Sequence, residues 1–175
     1  DPVDNQIRVP PISDRGIFHA GPIMPSKADR GPNENVDLLD IEEDDQMPFD
    51  TVEAALEDIR QGKMIIVADD EDRENEGDLV CAASLISAEN VNFMIQFGGG
   101  LICATLTSDR ADELGLPPMT DDNTDPQGTA FTVSVDGHQR FGVTTGISAS
   151  DRAKTIELLV HPDTAPADLR RPGHI

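Results

Sequence analysis

From residue 49 onward, apolar side chains recur in patterns that assign most of the chain to elements. Val52, Ala55, Leu56 and Ile59 share one helical face; Asp50 is placed to cap that helix, Glu53 completes a capping box and Gly62 stops it. The unbroken apolar run 64–68 predicts a buried strand, and 79–83 predicts a second one beyond a charged stretch. Ser87 opens a helix through Phe97, three glycines at 98–100 break it, and 101–106 reads as a third strand. A short helix over 109–114 precedes Pro117 and Pro118. Alternation over 130–135 predicts a half-buried strand, with a turn at Asp136-Gly137 and a hairpin partner over 141–144. Ser150 then caps a helix running to about Val160. Strands and helices in alternation, with one hairpin, predict an α+β fold: a layered α/β sandwich with a mixed sheet.

Residues 1–48 follow neither pattern. They hold seven of the thirteen prolines, eleven acidic residues and a single aromatic, Phe18, which is too little apolar surface to offset the entropy of ordering. They read as an acidic, Pro-rich disordered leader, and 49–175 as the folded domain. Within the leader, 37–45 reads as a solvated acidic linker in preference to a partner-binding motif. The whole chain carries 34 Asp plus Glu against 13 Lys plus Arg, a formal charge of -21. Such a surface repels phosphate backbones and anionic headgroups, which argues against nucleic-acid and membrane partners. No apolar run approaches the ~20 residues that span a bilayer. Cys81 and Cys103 sit in apolar runs without framework spacing, as reduced thiols do.

Charge also singles out the first candidate for chemistry. Asp69-Asp-Glu-Asp-Arg-Glu-Asn-Glu-Gly-Asp78 packs seven carboxylates into ten residues between two apolar strands. Taken alone, an acidic run is more often a solvated loop; here Gly77 permits a tight turn that would gather Glu74, Glu76 and Asp78, and such oxygen donors suit Mg²⁺ or Mn²⁺ better than zinc. Residues 142–152 offer hydroxyls, glycines and amides at a helix start, which serve equally as a cradle for phosphate or sugar hydroxyls and as ordinary capping chemistry. The loop 123–129 is a weaker case of the same kind. His174 follows two arginines and Gly173, whereas His19, His138 and His161 carry no assigned role. Nucleophile elbows, Walker loops, dinucleotide fingerprints and zinc spacings are all missing from the sequence.

The acidic run, together with Gly100-Leu-Ile-Cys103, Asn123-Thr124, Gly128-Thr-Ala-Phe-Thr132, Thr145-Gly-Ile-Ser-Ala-Ser-Asp-Arg152 and Arg171-Pro-Gly-His174, resembles 3,4-dihydroxy-2-butanone-4-phosphate synthase of riboflavin biosynthesis. The likeness runs from about Phe49 to Ile175. It implies conversion of D-ribulose 5-phosphate to 3,4-dihydroxy-2-butanone 4-phosphate and formate by a Mg²⁺- or Mn²⁺-dependent lyase. It further implies that Glu74 is a metal ligand, that Arg73 and Asp78 contact the sugar phosphate, that His174 is catalytic in proton transfer, and that Cys103 and Thr129 line the substrate pocket. A homodimer is implied, in the cytoplasm of a bacterium or the plastid of a plant or alga. Gln96-Phe97 stands where the family usually has Arg-His. The family's pattern also continues past Ile175 with an Arg-x-Gly-His-Thr-Glu segment and a later glutamate, so the resemblance implies that these 175 residues alone lack the C-terminal part of the domain and are poorly active or inactive. A non-catalytic truncated homologue, acting as an acidic cation-binding or interaction module, is the alternative reading.

Overall fold

Thr51, one residue later than the sequence pattern suggests, starts the first helix. Its backbone is extended and its Oγ1 accepts a hydrogen bond from the Ala54 amide at 3.2 Å, so α1 runs Val52–Arg60. The computed structural model describes residues 50–69 and 76–175, and the backbone of 16–18. By its own contacts the chain divides into two compact units, 1–80 and 81–175.

In the first unit, α1 covers one face of a three-stranded sheet ordered β1 (Gly16–Phe18), β2 (Ile65–Ala68), β3 (Gly77–Val80). Ala55 and Ile65 are buried, with Val52, Ile59, Val67 and Val80 packed around them. Asp58 is also buried on this helix and is matched by Lys63, whose Nζ lies 2.6 Å from its carboxylate. The β2–β3 register sets Ile65 opposite Val80 and Val67 opposite Asp78. The second strand thus lies at 77–80 instead of 79–83. β1 comes from the stretch expected to be a disordered leader: Gly16, Ile17 and Phe18 pair with Ala68, Val67 and Ile66.

The second unit is built around α4 (Ala149–Val160), which buries Ala153, Thr155, Ile156, Leu158 and Leu159. α2 (Ala88–Phe93) packs on it through Val91; its start is a capping box in which Ser87 and Asn90 exchange hydrogen bonds. Beyond α2 the backbone widens over 94–98 and ends at Gly99 and Gly100, both at positive φ. α3 (Ser108–Glu113) places Arg110 against the far end of α4, donating to the carbonyls of Leu159 and His161 at 3.1 and 2.6 Å. These bonds answer carbonyls that a helix C-terminus leaves open. Leu114, Leu116, Val135, Leu158, Leu159 and Leu169 form the larger apolar cluster.

Two expected strands are extended segments without a ladder. In 101–106, Ile102, Ala104 and Leu106 face the core while Leu101, Cys103 and Thr105 face outward, the alternation of a strand. A side chain needs only a core to lean on, but a strand needs a partner backbone, and this run has no ladder among the described residues. Over 130–135 the contact is an isolated bridge between Thr132 and Pro118. The expected hairpin with 141–144 is replaced: 139–141 forms a tight turn closed by Gly142 at φ 87, and β4 (Asp136–Gly137) pairs with β5 (Leu169–Arg170). Every pairing among the described residues is antiparallel. With helices and small antiparallel sheets the fold is α+β. No helix among the described residues is long and apolar enough to cross a membrane.

Candidate active site

Arg171-Pro-Gly-His174 crosses the end of β4 so closely that only glycine fits at 173: a Cβ there would lie 1.8 Å from the carbonyl carbon of Val135 and 2.1 Å from the Asp136 nitrogen. The crossing is fixed by backbone bonds. The amides of His174 and Ile175 reach the Val135 carbonyl at 3.1 and 3.2 Å, and the Val135 amide returns to the Ile175 carbonyl at 2.8 Å. His174 is thereby set beside the Asp136 carboxylate, with Nδ1 at 3.1 Å from Oδ1 and 3.0 Å from Oδ2. The His174 amide donates to the same Oδ1 at 3.0 Å. Asp136 is 5% exposed, whereas the His174 side chain keeps 38% of its surface open. One ring nitrogen faces a buried carboxylate and Nε2 is left for another partner, the disposition of a histidine that exchanges protons.

Arg171 has a structural duty. Its guanidinium donates to the carbonyls of Leu114, Pro166 and Leu169, which ties the tail to the larger apolar cluster. Arg170 sits across the ladder from Asp136 and donates to the Thr144 carbonyl at 3.2 Å.

The start of α4 shows the capping half of the two readings of 142–152. Ser148, not Ser150, is the cap, accepting from the Asp151 amide at 3.0 Å. Asp151 turns its carboxylate back to accept from the Thr144 amide at 3.2 Å, the Thr144 hydroxyl at 2.8 Å and the Gly146 amide at 3.0 Å. The amides of Thr144, Gly146 and Asp151 are thus occupied within the protein, which is capping work. Burial opposes ionisation of Asp151, yet the hydrogen bonds from Thr144, Gly146 and Ser148 outweigh it and hold the carboxyl below its ordinary value.

The loop 123–129 is closed on itself in the same way. Asp125 accepts from the Thr129 amide at 2.7 Å, Asn123 accepts from the Asp125 amide at 2.9 Å, and Asn123 donates to the Thr129 carbonyl at 3.0 Å. Hydrogen bonds from the Thr129 amide, then from its hydroxyl, keep the Asp125 carboxyl low. Thr129 is exposed on this loop, and Cys103 is exposed on the outward side of 101–106. His138 and His161 each cap a turn, accepting at Nδ1 from the amides of Arg140 and Asp163.

In the first unit, Asp78 is exposed on β3 opposite Val67. The acidic stretch is bracketed by two bonds: the Asp69 amide to the Glu76 carbonyl at 3.2 Å, and the Glu76 amide to Asp69 Oδ1 at 2.8 Å. Arg73 and Glu74 lie outside the described residues. Among the described residues no three His, Cys, Asp or Glu side chains are grouped to hold a metal ion. The residue missed by sequence reasoning is Asp136. An Asp-Gly pair between apolar runs is a hairpin signal, and its partner lies 38 positions away.

The sequence pattern of a family described as 3,4-dihydroxy-2-butanone 4-phosphate synthase matches residues 53–175. The chain is 58% identical over 135 residues to the riboflavin biosynthesis protein RibBA of Aquifex aeolicus, covering 77% of this chain and 33% of the relative. It is 49% identical over 129 residues to the 3,4-dihydroxy-2-butanone 4-phosphate synthase of Pseudomonas aeruginosa, covering 74% of this chain and 35% of the relative. The chain therefore spans about a third of the length of these relatives. A crystal structure of 3,4-dihydroxy-2-butanone 4-phosphate synthase in complex with two magnesium ions superposes with a TM-score of 0.70 at 46% identity, over 72% of this chain and 58% of that one. A cation-free crystal structure of 3,4-dihydroxy-2-butanone 4-phosphate synthase gives 0.66 at 43% identity, over 73% of this chain and 57% of that one.

Proposed function

The chain belongs to the 3,4-dihydroxy-2-butanone 4-phosphate synthase family, and from that premise we propose that it serves the conversion of D-ribulose 5-phosphate to 3,4-dihydroxy-2-butanone 4-phosphate and formate in riboflavin biosynthesis. The observation that carries this reading is the family match over 53–175, a span that contains Arg73, Glu74, Asp78, Cys103, Thr129 and His174.

Each residue takes a role suited to its chemistry. Arg73 pairs with the phosphate through a planar set of donors, and Asp78, exposed at the start of β3, binds the sugar. His174 exchanges a proton with the sugar at Nε2, the nitrogen turned from Asp136. Cys103 and Thr129, both exposed, are the pocket residues that the family resemblance implies. The donor set of the acidic stretch, Asp and Glu oxygens without a softer ligand, fits a hard divalent cation such as Mg²⁺ or Mn²⁺, with Glu74 as a ligand. When bound, the cation would supply electrostatic stabilisation to charge developing on the sugar oxygens. Large apolar side chains exposed in the second unit, Leu101, Ile147 and Phe131, support pairing with a second copy of the chain.

The test is release of formate from ribulose 5-phosphate by the gene product that carries these residues. Mg²⁺-dependent release is expected, abolished by Glu74→Gln with an unchanged circular dichroism spectrum. Near-normal release by that variant removes Glu74 from the metal site. No release by the folded wild-type product in Mg²⁺ or Mn²⁺ overturns the activity.

A further inference from the structure

We propose that the edge of β2 turned away from β3 is a strand-acceptor surface, and that Gly16–Phe18 of the same chain is its occupant, a detachable strap that closes this edge to other extended chains. The inference stands on the first unit alone and is independent of the reaction.

On one side β2 pairs with β3 at all four of its positions, from Ile65 opposite Val80 to Ala68 opposite Gly77. Its sequence, Ile-Ile-Val-Ala, holds neither proline nor charge, the devices that protect a strand edge from foreign strands. Protection comes instead from β1, whose Gly16, Ile17 and Phe18 lie antiparallel to Ala68, Val67 and Ile66. In sequence Arg15 precedes Gly16 and Asp69 follows Ala68, an order of unlike charges that favours the antiparallel direction over the parallel one. Two features make the strap detachable. It is three residues long, and Pro10, Pro11 and Pro22, which flank it in sequence, cannot donate to a longer ladder. It is also joined to α1 through residues 19–49, a span whose closure entropy rises only with the logarithm of its length. A tether of this kind raises the concentration of the segment at β2 to about millimolar. So short a strand is thereby held in cis where the same backbone on another molecule binds weakly, which selects the chain's own segment over a second copy.

The experiment uses the full chain. In a ¹³C,¹⁵N-labelled sample, backbone NOEs should link 16–18 to 66–68, and in a mixture of labelled and unlabelled chains they should stay within one copy. The β2 amides that point away from β3 should be protected from hydrogen exchange at rates that low urea leaves unchanged, because they open by local detachment. Successive amides of a strand alternate sides, so the double variant Ile17→Pro with Phe18→Pro removes the donor facing β2. Those β2 amides should then exchange about tenfold faster or more, while the amides of α4 stay as they were. A synthetic peptide of residues 12–21, at about 1 mM, should restore protection to the variant, and the same peptide with both prolines should not. Missing contacts between 16–18 and 66–68 in the wild-type chain overturn the proposal without any variant, which covers failure of the variant to fold. Contacts found only between copies assign the edge to a second chain and overturn the cis strap. Exchange that follows global unfolding overturns its detachability. Unchanged β2 exchange in a folded variant, or a peptide that restores nothing, overturns the acceptor surface.

Discussion

Replacing Asp151 with alanine removes a carboxylate that accepts three hydrogen bonds ahead of α4, from the Thr144 amide, the Thr144 hydroxyl and the Gly146 amide. The bond to Gly146 is buried, and an orphaned buried amide costs about 1–3 kcal/mol. Thr144 is exposed, so water replaces its partner at a cost of about 0.5–1 kcal/mol for each group. The charge also sits in the first turn of the helix, where it contributes about 0.3–1 kcal/mol through the helix dipole. The expected loss is about 3 kcal/mol, measured by urea denaturation followed by circular dichroism at 222 nm. Asp151→Asn retains an acceptor oxygen and should lose about half as much. The sign of the pH dependence follows from the lowered carboxyl. A group held below its ordinary value of 3.8 stabilises the fold fully above that pH, and the contribution disappears as pH falls through the folded value. The stability gap between wild type and Asp151→Asn should therefore be constant at neutral pH and narrow below pH 3.8. A loss under about 0.5 kcal/mol for the alanine variant, or a gap unchanged into acid, refutes the assignment of Asp151 as the acceptor that collects these bonds.

Leu114→Ala empties a fully buried site in the larger apolar cluster and should cost about 2–5 kcal/mol by the same denaturation assay. Thr155→Val keeps the shape of a buried side chain but removes the acceptor for the Gly137 amide, at 2.9 Å, and should cost about 1–3 kcal/mol. Gly146→Ala places a methyl on the Asp136 carboxylate at a residue with φ 89, so calorimetry should show destabilisation and the His174 ring resonances should shift. Unmoved His174 signals in a folded Gly146→Ala protein would mean that the carboxylate and ring do not depend on that packing.

Helix starts were legible because a hydroxyl or carboxylate followed by 3.6-residue spacing is a local signal. Ser87 is read at its own position; Thr51 displaces Asp50 by one residue and Ser148 displaces Ser150 by two, since several neighbouring side chains can cap and only the backbone chooses among them. Inward and outward faces of 101–106 were legible for the same reason. Ladders were not, because β4 finds β5 more than thirty residues away and no periodicity encodes a partner. The acidic run, Cys103, Thr129 and His174 stood out by motif. Asp136 did not, since its place beside His174 exists only after the tail has crossed Val135. At 142–152 the sequence offered donors in plenty, and the fold shows those of Thr144 and Gly146 answered by Asp151.

That crossing has a kinetic meaning. His174 and Asp136 are separated by 38 positions, with all of α4 between them, and closing a loop of that length costs roughly 3 kcal/mol of chain entropy before any contact is gained. Local structure such as α4 forms without meeting that entropy, because its contacts join near neighbours in sequence. The pairing of the histidine with its carboxylate is thus among the late events of folding, and a molecule stalled before it would carry nearly native helix content while its histidine remained solvated and untethered.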